Sequence, residues 1–107
     1  MNLKELNLEE WDGTFQVIYQ NENKKILLLN FSKIRGFVLE GRSNLVCVNP
    51  VDEIIWFAEI PSVGEVGLAV FHSFKYEYGV LIGWYGGSTY IRLNARDGKI
   101  ITEDFVK

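Results

Sequence analysis

The sequence predicts an all-β fold of two four-stranded antiparallel sheets, with a short N-terminal helix and strand. Three observations predict it. Apolar and polar residues alternate with period two along several segments. Gly, Asn and Asp punctuate those segments at short intervals, as turns require. Finally, one phrase occurs twice. Val46-Cys47-Val48-Asn49-Pro50-Val51-Asp52-Glu53-Ile54-Ile55 returns 45 residues later as Ile91-Arg92-Leu93-Asn94-Ala95-Arg96-Asp97-Gly98-Lys99-Ile100-Ile101. The apolar-x-apolar opening, the Asn, the Asp three places on and the closing Ile-Ile keep their order.

Residues 4–11 suit one or two helical turns, with Leu6, Leu8 and Trp11 on the apolar side. So short a helix must dock to persist. Asp12-Gly13 signals a turn, after which Phe15, Val17 and Tyr19 alternate with Gln16 and Gln20 as a half-buried strand over 14–20. Asn21-Glu22-Asn23-Lys24 reads as a hairpin turn, and Lys25–Phe31 as a more fully apolar strand.

Two parallel sets follow. The first holds strands at Gly36–Gly41, Ser43–Asn49 and Asp52–Trp56; the second holds them at Gly79–Gly83, Ser88–Asn94 and Asp97–Thr102. A fourth strand precedes each, Ile26–Phe31 and Gly67–Phe74. The second set has extra residues only in its turns, at Trp84–Gly87 and at Gly98. Val46 and Val48 match Ile91 and Leu93 and are expected on the core face; Leu45 and Cys47 match Tyr90 and Arg92, a face that tolerates polarity.

A spacing near 45 residues with four strands per unit is the pattern of blade-like repeats, so the architecture expected is half of a β-propeller. The length of 107 residues suits one domain over 1–107, with repeats at about 26–60 and 67–105. Two blades close no ring. The expected fold therefore leaves sheet edges open, to be covered by the N-terminal strand or used for association.

The run Leu93-Asn94-Ala95-Arg96-Asp97-Gly98-Lys99-Ile100-Ile101 resembles the strand–turn–strand segment of quinoprotein-type propeller repeats, in which an L-D-A-x-T/D-G-K-x-x-W pattern is common. The first repeat departs from it by Pro50 and by lacking the Gly, but keeps Trp56 where that family often has its Trp. The resemblance spans about two blades and implies a fold. It implies no quinone, which sits on the axis of a complete ring.

Composition narrows the function. Charged residues are 23% and hydrophobic ones 48%, which is globular rather than disordered. A formal net charge of −3 argues against direct nucleic-acid binding, which needs a dense basic surface. The opening MNLKELNLEEWDG has no apolar run, so no signal peptide is expected, and no stretch reaches membrane-spanning length. Cys47 is the single cysteine, which fits a cytoplasmic setting.

No catalytic set is legible. His72 is the only histidine and sits in a strand pattern, where an ordinary hydrogen-bond partner is expected. Cys47 lies in an apolar strand, as a buried and inert thiol does. One His and one Cys make no zinc site, and Asp52-Glu53 and Glu103-Asp104 read as turn and tail residues rather than calcium ligands. Gly83-Trp84-Tyr85-Gly86-Gly87 lacks the Lys-Ser/Thr and helix of a phosphate loop. No metal, cofactor or enzymatic activity is therefore expected.

What remains is aromatic. Tyr76, Glu77 and Tyr78 on one side of a predicted strand, and Trp84 and Tyr85 on the other, form the candidate partner-binding patch. Glu40, Glu59 and Glu77 would give it a negative rim that attracts a basic partner. In overall form the chain resembles the small acidic immunity proteins of bacterial toxin–immunity systems, including those of contact-dependent growth inhibition. That resemblance implies binding of a cognate toxin, often a basic nuclease, and occlusion of its active site. The family has no shared motif, so it assigns no residue here. Two other expectations stand beside it: a homo-oligomer that completes a propeller, and a small-ligand pocket between the sheets lined by Trp56, Trp84 and Tyr90.

Overall fold

The computed structural model describes residues 1–6, 11–31, 42–61 and 70–106. It contains a 3-10 turn at Leu3–Glu5 and eight strands: β1 (Trp11–Gln20), β2 (Lys25–Phe31), β3 (Leu45–Val48), β4 (Ile54–Phe57), β5 (Phe71–Glu77), β6 (Val80–Tyr85), β7 (Thr89–Asn94) and β8 (Ile100–Phe105). They form two four-stranded sheets, β1-β2-β3-β4 and β5-β6-β7-β8, in which each strand pairs antiparallel with the next. The expected all-β, two-sheet architecture is what the chain adopts. Among the described residues, no helix is long and apolar enough to cross a membrane.

The N-terminal strand, β1, pairs along the outer edge of β2, as an edge cover would, and it counts as one of the sheet's four strands rather than an addition to them. β2 pairs directly with β3, and the strand expected at 36–41 lies outside the described residues. β2 is buried on both faces, Ile26 on one and Leu27 and Leu29 on the other. At the N-terminus the expected helix shrinks to Leu3–Glu5. Asn2 caps it, accepting from the Lys4 N–H, while the Glu5 carboxylate accepts from the Asn2 N–H. Residues 7–10 lie outside the described ones, and Trp11 already belongs to β1.

The turns follow their residues. Asn21 Oδ1 accepts from the N–H groups of Asn23 and Lys24, which closes the β1–β2 hairpin as expected. Tyr78 and Gly79 both have positive φ, 49° and 80°, the signature of the two-residue hairpin turn that matches strand twist.

The repeated phrase has one structure in both copies. Asn49 Oδ1 accepts from Val51 N–H and Asn94 Oδ1 accepts from Arg96 N–H. The Asn49 N–H donates to Glu53 O and the Asn94 N–H to Lys99 O. Each turn then passes through one left-handed residue, Asp52 at φ 63° and Gly98 at φ 73°. Gly98 is thus the counterpart of Asp52, and the extra residue of the second copy lies earlier in the turn. Each following strand carries a bulge at the same place, opposite Cys47/Val48 and opposite Arg92/Leu93, which turns Ile55 and Ile101 outward.

The faces differ from expectation. Leu45 and Cys47, not Val46 and Val48, share the inter-sheet core with Leu81, Ile91 and Leu93. Val46 and Val48 lie on the opposite side of β3, with Leu27 and Leu29, under Leu3, Leu6 and Trp11. β3 is buried on both faces, so hydrophobicity alone did not mark its inner side. The two sheets therefore stack head to tail: the face that Ile91 and Leu93 occupy meets the face opposite to the one their counterparts Val46 and Val48 occupy.

The sheets approach most closely along β1 and β5. Tyr19 and Tyr76 stack there with ring centroids 3.9 Å apart. Asn44, buried, donates through Nδ2 to Leu29 O and Phe71 O and accepts the Phe71 N–H on Oδ1. At the far side the Trp56 indole N–H donates to Arg96 O, and its ring lies where any Gly98 side chain would be.

Candidate functional site

Strand alternation fixes what the outer face of the second sheet displays. Leu81, Gly83, Tyr85, Ile91 and Leu93 are buried, so their neighbours Ile82, Trp84, Tyr90 and Arg92 point the other way. Cross-strand pairing sets these in two rungs. One runs His72–Trp84–Tyr90–Asp104, and the next Lys75–Ile82–Arg92–Thr102. Trp84 and Tyr90 meet edge to face, with centroids 5.2 Å apart at 64°. Ile82, Trp84 and Tyr90 are half-buried, and His72, Lys75, Arg92, Thr102 and Asp104 are exposed. Lys75 and Glu77 pair at 3.3 Å on the rim, a contact open to water and worth little to stability. The face thus offers an apolar centre of three side chains inside a ring of both charge signs.

The sequence-derived patch is only partly brought together. Trp84 lies at the centre of this face and Glu77 at its rim. Tyr78 stands at the β5–β6 corner, 96% exposed. Tyr76 points inward, stacked on Tyr19. Tyr85 is 5% exposed and packs edge-on against Phe71, so it presents no surface to a partner. Glu40 lies outside the described residues. Glu59 lies elsewhere, its carboxylate accepting the Ile100 N–H at the start of β8.

The reason Tyr76 turns inward is a bulge. Ser73, at φ 57°, is the extra residue of β5 between the His72–Trp84 and Lys75–Ile82 pairs. It shifts the alternation by one, so Phe71, Phe74 and Tyr76 all face the core. Tyr90, expected beside Trp84 in a pocket between the sheets, instead joins it on this outer face, together with Ile82, Arg92 and Asp104, none of which belonged to the expected patch. A signal existed: Trp84 and Tyr90 are equidistant from Gly87, the middle of the hairpin loop.

The expected ligand pocket between the sheets does not form from Trp56, Trp84 and Tyr90. Trp56 packs against the inter-sheet core, while Trp84 and Tyr90 lie on the outer face. A cleft of about 390 Å³ opens instead beside the β1/β5 seam, lined in part by Gln16, Leu28, Asn44, Phe71 and His72. Its chemistry is committed to the fold. His72 Nε2 lies within hydrogen-bond reach of Gly86 O and Nδ1 of the Ser73 hydroxyl, so both ring nitrogens have partners within the fold. The Asn44 amide is spent on Leu29 and Phe71.

Cys47 is fully buried, and burial pushes its thiol up from 9.0, with nearby Lys24 only partly opposing. A thiol so held is a poor nucleophile. Among the described residues, no three His, Cys, Asp or Glu side chains converge as a metal site would require.

No protein family, curated protein or solved structure matches this chain.

Proposed function

We propose that this is a protein-binding immunity protein, which neutralises a cognate bacterial toxin by covering its active site. The observation that carries the reading is the Trp84–Tyr90 pair with Ile82 at the centre of an open sheet face. Aromatic anchors ringed by polar residues are the usual anatomy of a binding hot spot. A partner's apolar side chain would pack against the joined rings and Ile82, and Lys75, Glu77, Arg92 and Asp104 would fix its register. The chain's net charge of −3 favours a basic partner, and a nuclease domain, whose cleft is built to hold phosphate, is one. Inhibition needs no chemistry from this chain. Opposite charge speeds encounter, and burial of the rings slows release.

The head-to-tail stacking also supports reading the two sheets as consecutive blades of a propeller-like array, since repeated blades pack through equivalent, non-symmetric faces.

The test uses the product of the adjacent upstream gene, which the proposal requires to be a nuclease toxin. Equimolar protein is expected to abolish its nuclease activity, and rising salt to weaken the complex. Undiminished nuclease activity under excess protein would refute the proposal.

A further inference from the structure

The head-to-tail stacking has two unused halves. The outer face of the second sheet carries the repeat counterparts of the first sheet's inner face: Tyr90 for Leu45 and Arg92 for Cys47. Through the pairing of β3 with β2 and of β7 with β6, Trp84 likewise answers to Leu28 and Ile82 to Ile26. The outer face of the first sheet carries the counterparts of the second sheet's inner face, Val46 and Val48 for Ile91 and Leu93. The contact made once inside the chain is therefore available a second time, between one copy's second sheet and another copy's first sheet.

One of the two halves is closed. Leu3 and Leu6, 6% and 3% exposed, lie with Trp11 over Val46, Val48, Leu27 and Leu29. The same segment also lies along the β3–β4 turn and the first residue of β4's edge. Leu3 N–H donates to Asp52 O, Ile54 N–H to Met1 O, and the Asn2 side chain to Val51 O. It thus covers at once the face on which a third sheet would stack and the start of the edge at which a further strand would add.

We infer that residues 1–6 act as a built-in stop, which keeps the chain from associating head to tail with a second copy of itself and so leaves the Trp84–Tyr90 face free. The occupant of that face, once the stop is lifted, is the first sheet of another copy. Such a contact is heterologous, so it propagates rather than closing at a dimer unless the rotation completes a ring. It is also small. Four strands about 4.8 Å apart and six residues long at about 3.3 Å each present roughly 300–400 Å², against the ~800 Å² per partner of a standard interface. Association therefore shows only at high concentration; inside the chain the linker supplies an effective concentration in the ~mM range.

The inference stands on the stacking geometry and does not depend on the toxin. Its test is sedimentation equilibrium of the full chain carrying Leu3→Asp and Leu6→Asp, from about 10 to about 500 μM, a range that brackets weak association. Weight-average mass is expected to climb past that of a dimer with concentration, while the wild type stays monomeric. Adding Trp84→Asp is expected to return the variant to monomer. A folded double variant that stays monomeric throughout, or assemblies that persist with Trp84→Asp, overturns the inference. Should the double variant lack the wild-type circular dichroism, Asn2→Ala decides. It removes the tie to Val51 and the cap without placing a charge in the core. Its mass must exceed that of the wild type at the top concentration, and equal masses overturn the inference.

Discussion

The side chain of Asn44 pairs with the backbone of Phe71 as a neighbouring strand would. Its Oδ1 accepts the Phe71 N–H at 2.8 Å and its Nδ2 donates to the Phe71 carbonyl at 2.9 Å. A third bond, to Leu29 O, ties the same amide to the first sheet. One buried amide thus replaces the missing ladder between the two sheets at their closest approach. Asn44→Ala leaves two backbone groups of Phe71 without partners, and each such group costs about 1–3 kcal/mol. The expected loss is about 3 kcal/mol, read as a lower urea midpoint at unchanged slope. A loss within about 0.5 kcal/mol would show that the clamp does not hold the sheets, since that is the scale of an ordinary surface substitution.

The two copies of the repeated turn respond differently to the same residue. At Gly98, φ is 73° and an added Cβ would lie 2.5 Å from the Trp56 ring. Gly98→Ala therefore meets both the left-handed penalty of about 1–2 kcal/mol and a displaced indole. Asp52 already carries a side chain at φ 63°. Asp52→Ala is expected to cost under ~1 kcal/mol, the scale of its partly exposed pairing with Lys25 at 3.5 Å. Thermal melts of the two variants should separate clearly; equal shifts would contradict the assigned turn geometry.

Thr89 is fully buried in β7, and its hydroxyl has no hydrogen-bond partner among the described residues. Thr89→Val keeps the shape and removes the stranded polar group. It is expected to stabilise the fold by about 1 kcal/mol. A destabilised Thr89→Val chain would mean that the hydroxyl is satisfied in solution.

Cys47 makes stability fall at alkaline pH. Its folded thiol titrates above 9.0, so the folded chain keeps it neutral where the unfolded chain has ionised. This contribution is complete below the unfolded value of roughly 8.5–9 and is lost as pH rises through the folded one. The wild type is expected to lose more stability than Cys47→Ala as pH rises above roughly 8.5–9, where the unfolded thiol ionises and the folded one stays neutral. Identical pH slopes in the two chains would remove Cys47 from the account. Thiol reagents are expected to label the native protein only as fast as it unfolds.

The parts of the fold that local chemistry dictates were legible in the sequence. Asn94 through Ile101 announces a turn and a returning strand, and Asn49 through Ile55 repeats it. What was hidden depended on tertiary context. Leu45, Val46, Cys47 and Val48 are all apolar and all buried, so the sequence held no sign of which pair faces the second sheet. Tyr76 was misplaced because the bulge at Ser73 reverses the alternation, and a serine at positive φ leaves no mark in the pattern. Tyr85 shared its neighbourhood with Trp84 but not its face, as period two demands. The Trp84–Tyr90 pairing was within reach, had the hairpin been centred on Gly87.

The most direct test of the account is a binding measurement on two immobilised chains, wild type and Trp84→Asp, against the product of the adjacent upstream gene, the candidate toxin under the proposed function. Both are first shown to melt alike, since Trp84 lies on the outer face. The account predicts tight, salt-sensitive capture by the wild type and a loss of at least about 30-fold with Trp84→Asp, the effect of a hot-spot residue worth about 2 kcal/mol. Equal capture by both chains would contradict it, as would capture by neither.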